Sequence, residues 1–203
     1  MNIAENNASF ITEADYLEGE LHSDIKHEYI DGEVFAMSGA RANHNRIASN
    51  IHGEFRNHLK GKTCEPFTSD MKVKVDSRYF YPDAMVVCTE VKGGDTFTTS
   101  PRIIVEVLSK STRKMDHSVK REAYLQISSL EEYILIEQDF VHVEVARRSD
   151  GWKSTHYFLG DNVPFTAIDL TLSVEEIYER VDNEDMTAWF IEKAEAEALE
   201  KED

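Results

Sequence analysis

The sequence predicts one mixed α/β domain in which a partly parallel sheet is flanked by helices. From Ile103 to Ile136, an apolar strand, a helical segment and a second apolar strand follow one another. Such a β-α-β order joins two parallel strands by a crossover. Hairpin signals around Gly32 and Gly151 add antiparallel strands. The length, 203 residues, suits one domain with its own core.

The N-terminal third predicts a helix, a hairpin and a second helix. Thr12 begins a short helix with an acidic residue three positions later, as in a capping box. The hairpin spans Glu28 to Met37 around Asp31-Gly32. The apolar residues from Ile47 to Leu59 recur every fourth position, which predicts an amphipathic helix that begins near His44.

The middle third is dominated by strands. They are predicted at Cys64–Thr68, Met71–Val75, Arg78–Val87, Ile103–Leu108 and Tyr133–Ile136. Residues 89–101 lack an apolar period and are predicted to be a surface loop. A helix is predicted from Asp116 to about Ile127, because its apolar residues share one side.

The C-terminal third predicts a hairpin, a short capped helix and a tail. The hairpin strands are Val141–Ala146 and Trp152–Phe158, and a capping box begins at Ser173. We therefore expect a main domain over residues 1–182 and an acidic helical tail over residues 183–203. The apolar cluster Trp189-Phe190-Ile191 in that tail suits packing on a second subunit, which predicts a homo-oligomer, specifically a dimer.

Composition restricts the possible functions. Thirty-nine acidic against 22 basic residues give a formal charge of −17, so strong non-specific DNA binding is not expected. No segment resembles a signal peptide or a membrane span, which predicts a cytoplasmic protein without membrane contact. Cys64 and Cys88 have no metal-binding spacing, and we expect free buried thiols.

Two carboxylates in apolar strands are the main functional signal. Asp83 follows Pro82 at the head of one apolar run, and Glu106 lies inside another. An ionised carboxylate is rarely buried without a partner or a cation. Oxygens from neighbouring strands can bind one hard divalent ion. The pair therefore favours metal-assisted hydrolysis, although a structural partner such as Lys120 would also explain Glu106.

Several motifs together resemble those of the Uma2 family. They are Tyr29-Ile30-Asp31-Gly32-Glu33, His44-Asn45-Arg46-Ile47, Tyr81-Pro82-Asp83, Val105-Glu106-Val107-Leu108-Ser109 with Ser111-Thr112, and the series Asp116, Lys120 and Tyr124. The resemblance covers roughly residues 16–181. It implies the restriction endonuclease-like core of the PD-(D/E)XK superfamily, with flanking helices.

The resemblance also implies a set of site residues. Asp83, Glu106 and the main-chain carbonyl of Val107 would bind Mg²⁺ or Mn²⁺. Leu108 stands where the superfamily usually has a lysine, and its apolar side chain cannot orient water. Relatives with a migrated lysine favour Lys120 as the replacement, because its long side chain can reach an adjacent strand end. The rival lysines are Lys110 and Lys114.

Glu33 and His44 are candidate supporting residues. Glu33 would add a carboxylate that supports the metal through water, whereas His44 near a helix start more often caps or lies at the surface.

Two functions compete. The first is a metal-dependent nuclease that binds nucleic acid weakly, DNA rather than RNA. The second is a non-catalytic binding or oligomer-forming protein, which Leu108 and the acidity favour.

Overall fold

The computed structural model describes residues 10–200, and its elements confirm the mixed α/β class. The α-helices of this part are α1 (Glu13–Glu20), α2 (Ala42–Leu59), α3 (Arg113–Met115), α4 (Arg121–Tyr124), α5 (Val174–Ile177) and α6 (Glu184–Glu200). Its strands are β1 (His27–Ile30), β2 (Glu33–Ala36), β3 (Glu65–Thr68), β4 (Lys72–Val75), β5 (Arg78–Phe80), β6 (Ala84–Val87), β7 (Phe97–Thr98), β8 (Pro101–Leu108), β9 (Glu132–Glu137), β10 (Val143–Arg147), β11 (Ser154–Tyr157), β12 (Asn162–Phe165) and β13 (Leu170–Ser173).

Two sheets hold most of the strands. The six-stranded sheet has the order β11-β10-β9-β8-β6-β3, and the five-stranded sheet has the order β2-β1-β5-β4-β7. In the larger sheet β8 and β9 are parallel, as the β-α-β pattern predicts, whereas its other neighbouring strands are antiparallel. The hairpin β12–β13 is separate and was not predicted. The expectation of a partly parallel sheet is confirmed.

The chain passes from the smaller sheet to the larger one at Tyr81-Pro82-Asp83. The sequence predicts one strand over Arg78–Val87, but β5 pairs with β1 and β4, while β6 pairs with β3 and β8. Pro82 suits this link because proline has no N–H to donate to a strand ladder. Asp83 is therefore the residue that leads into the larger sheet.

The first hairpin has the predicted turn. β1 and β2 pair with Ile30 opposite Glu33, so that only Asp31-Gly32 lies between the strands. Asp31 and Gly32 have φ angles of 51° and 100°. Positive angles at both central residues are what a two-residue hairpin turn requires. The hairpin places Glu28 in β1, between β2 and β5 of the smaller sheet.

Helices cover both faces of the larger sheet. The four periodic apolar residues of α2 are buried against one face, with Val105 and Val107 of β8. Tyr124 of α4 packs on the other face with Leu108. The alternation of β8 residues between the two clusters follows from the two-residue period of a strand. The helix predicted near His44 begins two residues earlier, at Ala42.

The helix predicted from Asp116 to Ile127 is interrupted. The chain forms α3, then a π-helical turn over Asp116–Lys120, then α4, which ends at Tyr124. A π turn holds one more residue than an α turn and occurs frequently at functional sites. Asp116 and Lys120 are buried in it. An apolar periodicity cannot predict this arrangement, because the turn is organised around two charged residues.

Cys64 and Cys88 form a disulfide bond, so the expectation of free thiols is wrong. The antiparallel pairing of β3 with β6 places Glu65 opposite Val87, and the two cysteines flank that pair. Strand pairing, which the sequence does not specify, therefore brings the thiols together. The predicted loop over residues 89–101 also needs correction, since it contains β7, which pairs with β4.

The C-terminal elements largely follow the sequence. β10 and β11 form the predicted hairpin, and Ser173 and Glu176 form the predicted capping box. Helix α6 begins against the body, where Met186 is buried and the Val141 N–H donates to Asp185. Within residues 10–200, no helix combines the length and apolar character that crossing a bilayer requires.

Candidate active site

Asp83 directly precedes β6, and Glu106 lies on β8, the strand next to β6 in the larger sheet. β6 and β8 are antiparallel with Ala84 opposite Val105, so Asp83 continues that register opposite Glu106. Directly opposed residues of an antiparallel pair point to the same face. The Val107 N–H donates to Asp83 Oδ2 at 2.7 Å, which fixes the Asp83 carboxylate against β8.

Glu106 is almost fully enclosed, with 2% of its surface exposed. Its Oε1 accepts hydrogen bonds from Tyr124 Oη at 2.9 Å and from Lys120 Nζ at 3.2 Å. Burial raises the pKa of Glu106 well above its usual range, against the opposing charge of Lys120. Nearby carboxylates, including Asp83, raise this pKa further. Additional positive charge beside Glu106 would therefore stabilise its ionised form.

Lys120 is buried among three carboxylates. Its Nζ lies 2.8 Å from Glu28 Oε1, 3.2 Å from Glu106 Oε1 and 3.3 Å from Asp116 Oδ1. Burial acts to lower the pKa of Lys120, but the three surrounding charges outweigh it and hold that pKa well above its usual value. The side chain is therefore a charged ammonium. The rivals Lys110 and Lys114 are exposed instead.

Sequence reasoning missed two carboxylates of this cluster. Glu28 on β1 is 5% exposed and accepts the Tyr81 N–H at 3.2 Å. Asp116 is 1% exposed, and its Oδ1 near Lys120 has no hydrogen bond of good geometry. Burial raises the pKa of Asp116. The available signals were the four-residue spacing of Asp116 and Lys120, and a charged residue inside the first hairpin.

His44 contacts the same Asp83 oxygen that accepts the Val107 N–H. It belongs to the first turn of α2, and its Nε2 lies 3.3 Å from Asp83 Oδ2. Burial acts to lower the pKa of His44, but the hydrogen bond and charge of Asp83 outweigh it, so the net change is upward. His44 Nδ1 is buried without a hydrogen-bond partner among the described residues. The structure thus brings His44 to the predicted pair.

The remaining predicted residues have different surroundings. Glu33 is exposed on β2, and its side chain has no hydrogen bond or ion pair with the described residues; the cluster contains Glu28 of the neighbouring strand instead. Leu108 is buried in the apolar core. Val107 contributes its N–H to Asp83, and its main chain also raises the pKa of His44.

The cluster has the chemistry of a cation site. Four carboxylates, from Glu28, Asp83, Glu106 and Asp116, meet one ammonium and one imidazole. Mg²⁺ and Mn²⁺ prefer oxygen ligands. Within residues 10–200, no three His, Cys, Asp or Glu side chains are arranged as ligands of one ion. The Lys120 ammonium lies among three of the carboxylates, and the carboxylate oxygens of Asp83 and Glu106 are of the donor type that a hard divalent cation prefers.

Several known proteins are similar to this chain. The sequence model of the Uma2 family, described as "Putative restriction endonuclease", matches residues 13–175. Two proteins of Synechocystis sp. (strain ATCC 27184 / PCC 6803 / Kazusa) are similar. "Uncharacterized protein slr1290" is 34% identical over 169 residues, covering 81% of this chain and 89% of that protein. "Uncharacterized protein sll1609" is 38% identical over 139 residues, covering 66% and 78%.

A solved structure has the same fold. The crystal structure of a protein from Anabaena variabilis ATCC 29413, described as "a putative nuclease belonging to DUF820", matches with a TM-score of 0.69. The match covers 83% of this chain and 97% of that one, at 19% sequence identity. At that identity the likeness establishes the common fold.

Proposed function

The chain belongs to the Uma2 family, and from that premise we propose that it is a metal-dependent nuclease that hydrolyses phosphodiester bonds of nucleic acid. The observation that carries the proposal is the contact between the Lys120 ammonium and the Glu106 carboxylate, with Asp83 at the start of the adjacent strand β6. Two strand carboxylates and a lysine are the parts that the superfamily pattern requires. Here the lysine comes from a helical turn, since Leu108 occupies its usual position.

Each residue has a distinct role in this proposal. Asp83, Glu106 and the Val107 carbonyl would hold Mg²⁺ or Mn²⁺, which supplies Lewis acidity and a water of lowered pKa when bound. Lys120 orients the attacking water and stabilises charge that develops on the phosphoryl oxygens. Tyr124 fixes the rotamer of Glu106, and His44 orients Asp83.

The substrate proposal follows the family and the charge. From the family, we expect DNA rather than RNA as the substrate. We expect this substrate to bind weakly, because a protein of net charge −17 repels phosphates. The cytoplasmic location and the homodimer stay predictions. The Cys64–Cys88 disulfide argues against the cytoplasmic location, because a reducing cytoplasm normally keeps cysteines as thiols.

A second candidate function is a binding or oligomer-forming protein without catalysis. Leu108 and the net charge favour it. So does the enclosure of Lys120, which could act only as the counter-charge of buried carboxylates. Buried ion pairs of this kind can specify a fold without contributing to catalysis.

Cleavage assays separate the two candidates. Wild-type protein is incubated with Mg²⁺ or Mn²⁺ at low ionic strength, with single-stranded and double-stranded DNA and RNA. We expect cleavage, and we expect Asp83→Asn, Asp83→Ala and Glu106→Ala to abolish it while the fold persists. Asp161→Asn is the matched control, since Asp161 also accepts a backbone N–H, from Phe158 at 2.8 Å, on the β11–β12 turn.

The outcomes are decisive in both directions. Cleavage by the wild type and by Asp161→Asn, with none by Asp83→Asn, would support the nuclease. No cleavage of any substrate under these conditions would favour the non-catalytic protein. Equal cleavage by a double variant that lacks both strand carboxylates would place the activity outside this cluster.

A further inference from the structure

Glu28 is the member of the cluster to which the family pattern gives no role. We infer that Glu28, reaching from β1 of the five-stranded sheet, positions Lys120 for the proposed hydrolysis by holding its ammonium beside Glu106. The inference rests on the proposed function. Glu28 is a positioning residue in this account, because its contacts are to Lys120 and to the protein backbone.

The contacts of Glu28 suit it to hold the lysine in place. Its 2.8 Å distance to Lys120 Nζ is the shortest of the three ion-pair distances. The same oxygen accepts the Tyr81 N–H, which ties the carboxylate to the link between the sheets. Both side chains of the ion pair are enclosed, with 7% of Glu28 and 6% of Lys120 exposed. Little solvent is available to replace this bond.

Asp116 cannot provide the same anchorage. It lies four residues before Lys120 in the same π-helical turn, so it moves with the lysine when the turn moves. Glu28 belongs to β1 of the five-stranded sheet, outside this turn, and its contact with Lys120 therefore fixes the turn relative to the body of the protein. A divalent cation at Glu106 would repel the ammonium, and the charge of Glu28 opposes that displacement.

Glu28→Gln isolates the charge of this residue. Glutamine keeps the side-chain length and an oxygen that can accept the Tyr81 N–H, but it cannot act as a counter-charge. With the metal-loaded enzyme at low ionic strength, we expect kcat to fall about 10- to 100-fold and KM to stay nearly constant. Loss of a residue that acts through Lys120 removes transition-state stabilisation rather than substrate affinity.

Glu132→Gln is the matched control. Glu132 on β9 is also a buried carboxylate, 1% exposed, and it accepts a hydrogen bond from Arg147 Nε at 3.0 Å. Its replacement should lower stability and leave kcat unchanged. If Glu28→Gln fails to fold, Glu28→Asp provides the test, because it keeps the charge and shortens the reach. An unchanged kcat in the variant that folds would overturn the inference.

A double-mutant cycle tests whether Glu28 acts through Lys120. In the Lys120→Met background, Glu28→Gln should cause no further loss of kcat, whereas a structural role would give additive losses. The same four proteins are unfolded in urea without metal, where the stability losses should also be non-additive. Additive losses in both measurements would overturn the inference.

The assays distinguish failure of the proposed function from failure of the Glu28 role alone. A wild-type protein that cleaves no substrate overturns the nuclease and this role of Glu28 together. A wild type that cleaves while Glu28→Gln retains full kcat overturns the role of Glu28 alone.

Discussion

At the scale of single residues, the enclosure of Glu106 limits what its carboxylate can do. Both Tyr124 and Lys120 donate to Oε1. The rotamer of Glu106 is therefore fixed before any ion or substrate arrives. Such preorganisation removes the need to reorient the carboxylate during the reaction. The hydroxyl of Tyr124 should consequently contribute to activity as well as to stability.

Tyr124→Phe tests this contribution. The change deletes one donor to a buried carboxylate, and we expect a loss of about 1–3 kcal/mol in the free energy of unfolding. We also expect kcat to fall about tenfold, because a group that orients the proposed metal ligand Glu106 is lost. Denaturant unfolding and steady-state cleavage measure the two effects.

Tyr29→Phe is the control for that experiment. The Tyr29 hydroxyl also donates from a buried ring, to the Ile11 carbonyl at 2.9 Å, but it lies in the tyrosine cluster of the smaller sheet. It should reduce stability and spare kcat. Equal kcat losses in both variants would mean that Tyr124 acts only through stability.

The sequence could identify some residues of the cluster and not others. Asp83 and Glu106 were recognisable because carboxylates in apolar strands are costly, and Lys120 was recognisable through the family pattern. Glu28 was not, because its partner Lys120 lies in a helical turn far away in the sequence, and the packing of distant elements leaves no local signal. The prediction of Glu33 and not Glu28 has the same cause, since the two residues occupy adjacent strands of one hairpin.

At the scale of elements, the sequence predicted the features that are local patterns and failed for those that depend on strand pairing. The βαβ order and the two-residue turn are local patterns, and both were predicted. The division of Arg78–Val87 between two sheets and the Cys64–Cys88 bond depend on which strands pair, so a continuous apolar run could not reveal them. The stability of the β3–β6 pair should now depend on that bond.

Removal of the disulfide tests this dependence. Cys64 and Cys88 are 24 residues apart, and a cross-link that closes a loop of this length contributes about 3 kcal/mol by restricting the unfolded chain. We expect the Cys64→Ser/Cys88→Ser protein to lose that amount in urea unfolding. A reducing agent should destabilise the wild type equally and leave the double variant unaffected. Equal stability of the oxidised wild type and the double variant would contradict the prediction.

The β10–β11 hairpin brings two histidines together. His142 Nε2 lies 2.9 Å from His156 Nδ1. Burial, followed by the charge of His156, lowers the pKa of His142. Below the usual histidine pKa of about 6.5, the unfolded chain then binds a proton that the folded chain does not bind. Stability is therefore fully present above that pH and is lost as the pH falls through it toward the lowered folded pKa.

His142→Gln should reduce this loss. Between about pH 7 and pH 5, the free energy of unfolding should fall less steeply in the variant than in the wild type. Urea unfolding at several pH values measures the slope. His22→Gln, which changes an exposed histidine after α1, should keep the wild-type slope. Identical slopes for all three proteins would refute the assignment.

At the scale of the whole molecule, net charge opposes the proposed substrate. The formal charge is −17, and the exposed part of α6 contributes to it. Met186 is buried, but the described side chains beyond Phe190 are exposed. The last turns of the helix can therefore be removed without opening the core.

A chain that ends after Phe190 should bind nucleic acid more tightly. The removed segment contains more acidic than basic residues, so the shortened chain is less negative. The reduced repulsion of phosphates should strengthen binding on the order of threefold at low salt. Fluorescence anisotropy with a labelled oligonucleotide measures this affinity. The difference between the two chains should disappear at high salt, because exposed charges are then screened. Equal affinities at low salt would show that the tail charges do not reach the bound substrate.

The π-helical turn over Asp116–Lys120 makes the direction of Lys120 depend on chain length as well as on residue type. Each residue of a helix advances the side-chain direction by about 100°. Loss of a single residue from this turn would restore α-helical spacing and rotate the lysine away from Glu106, although every carboxylate of the cluster would still be present. Within the family, a one-residue deletion here would therefore inactivate the site as effectively as replacement of the lysine, and an alignment of site residues alone would overlook it.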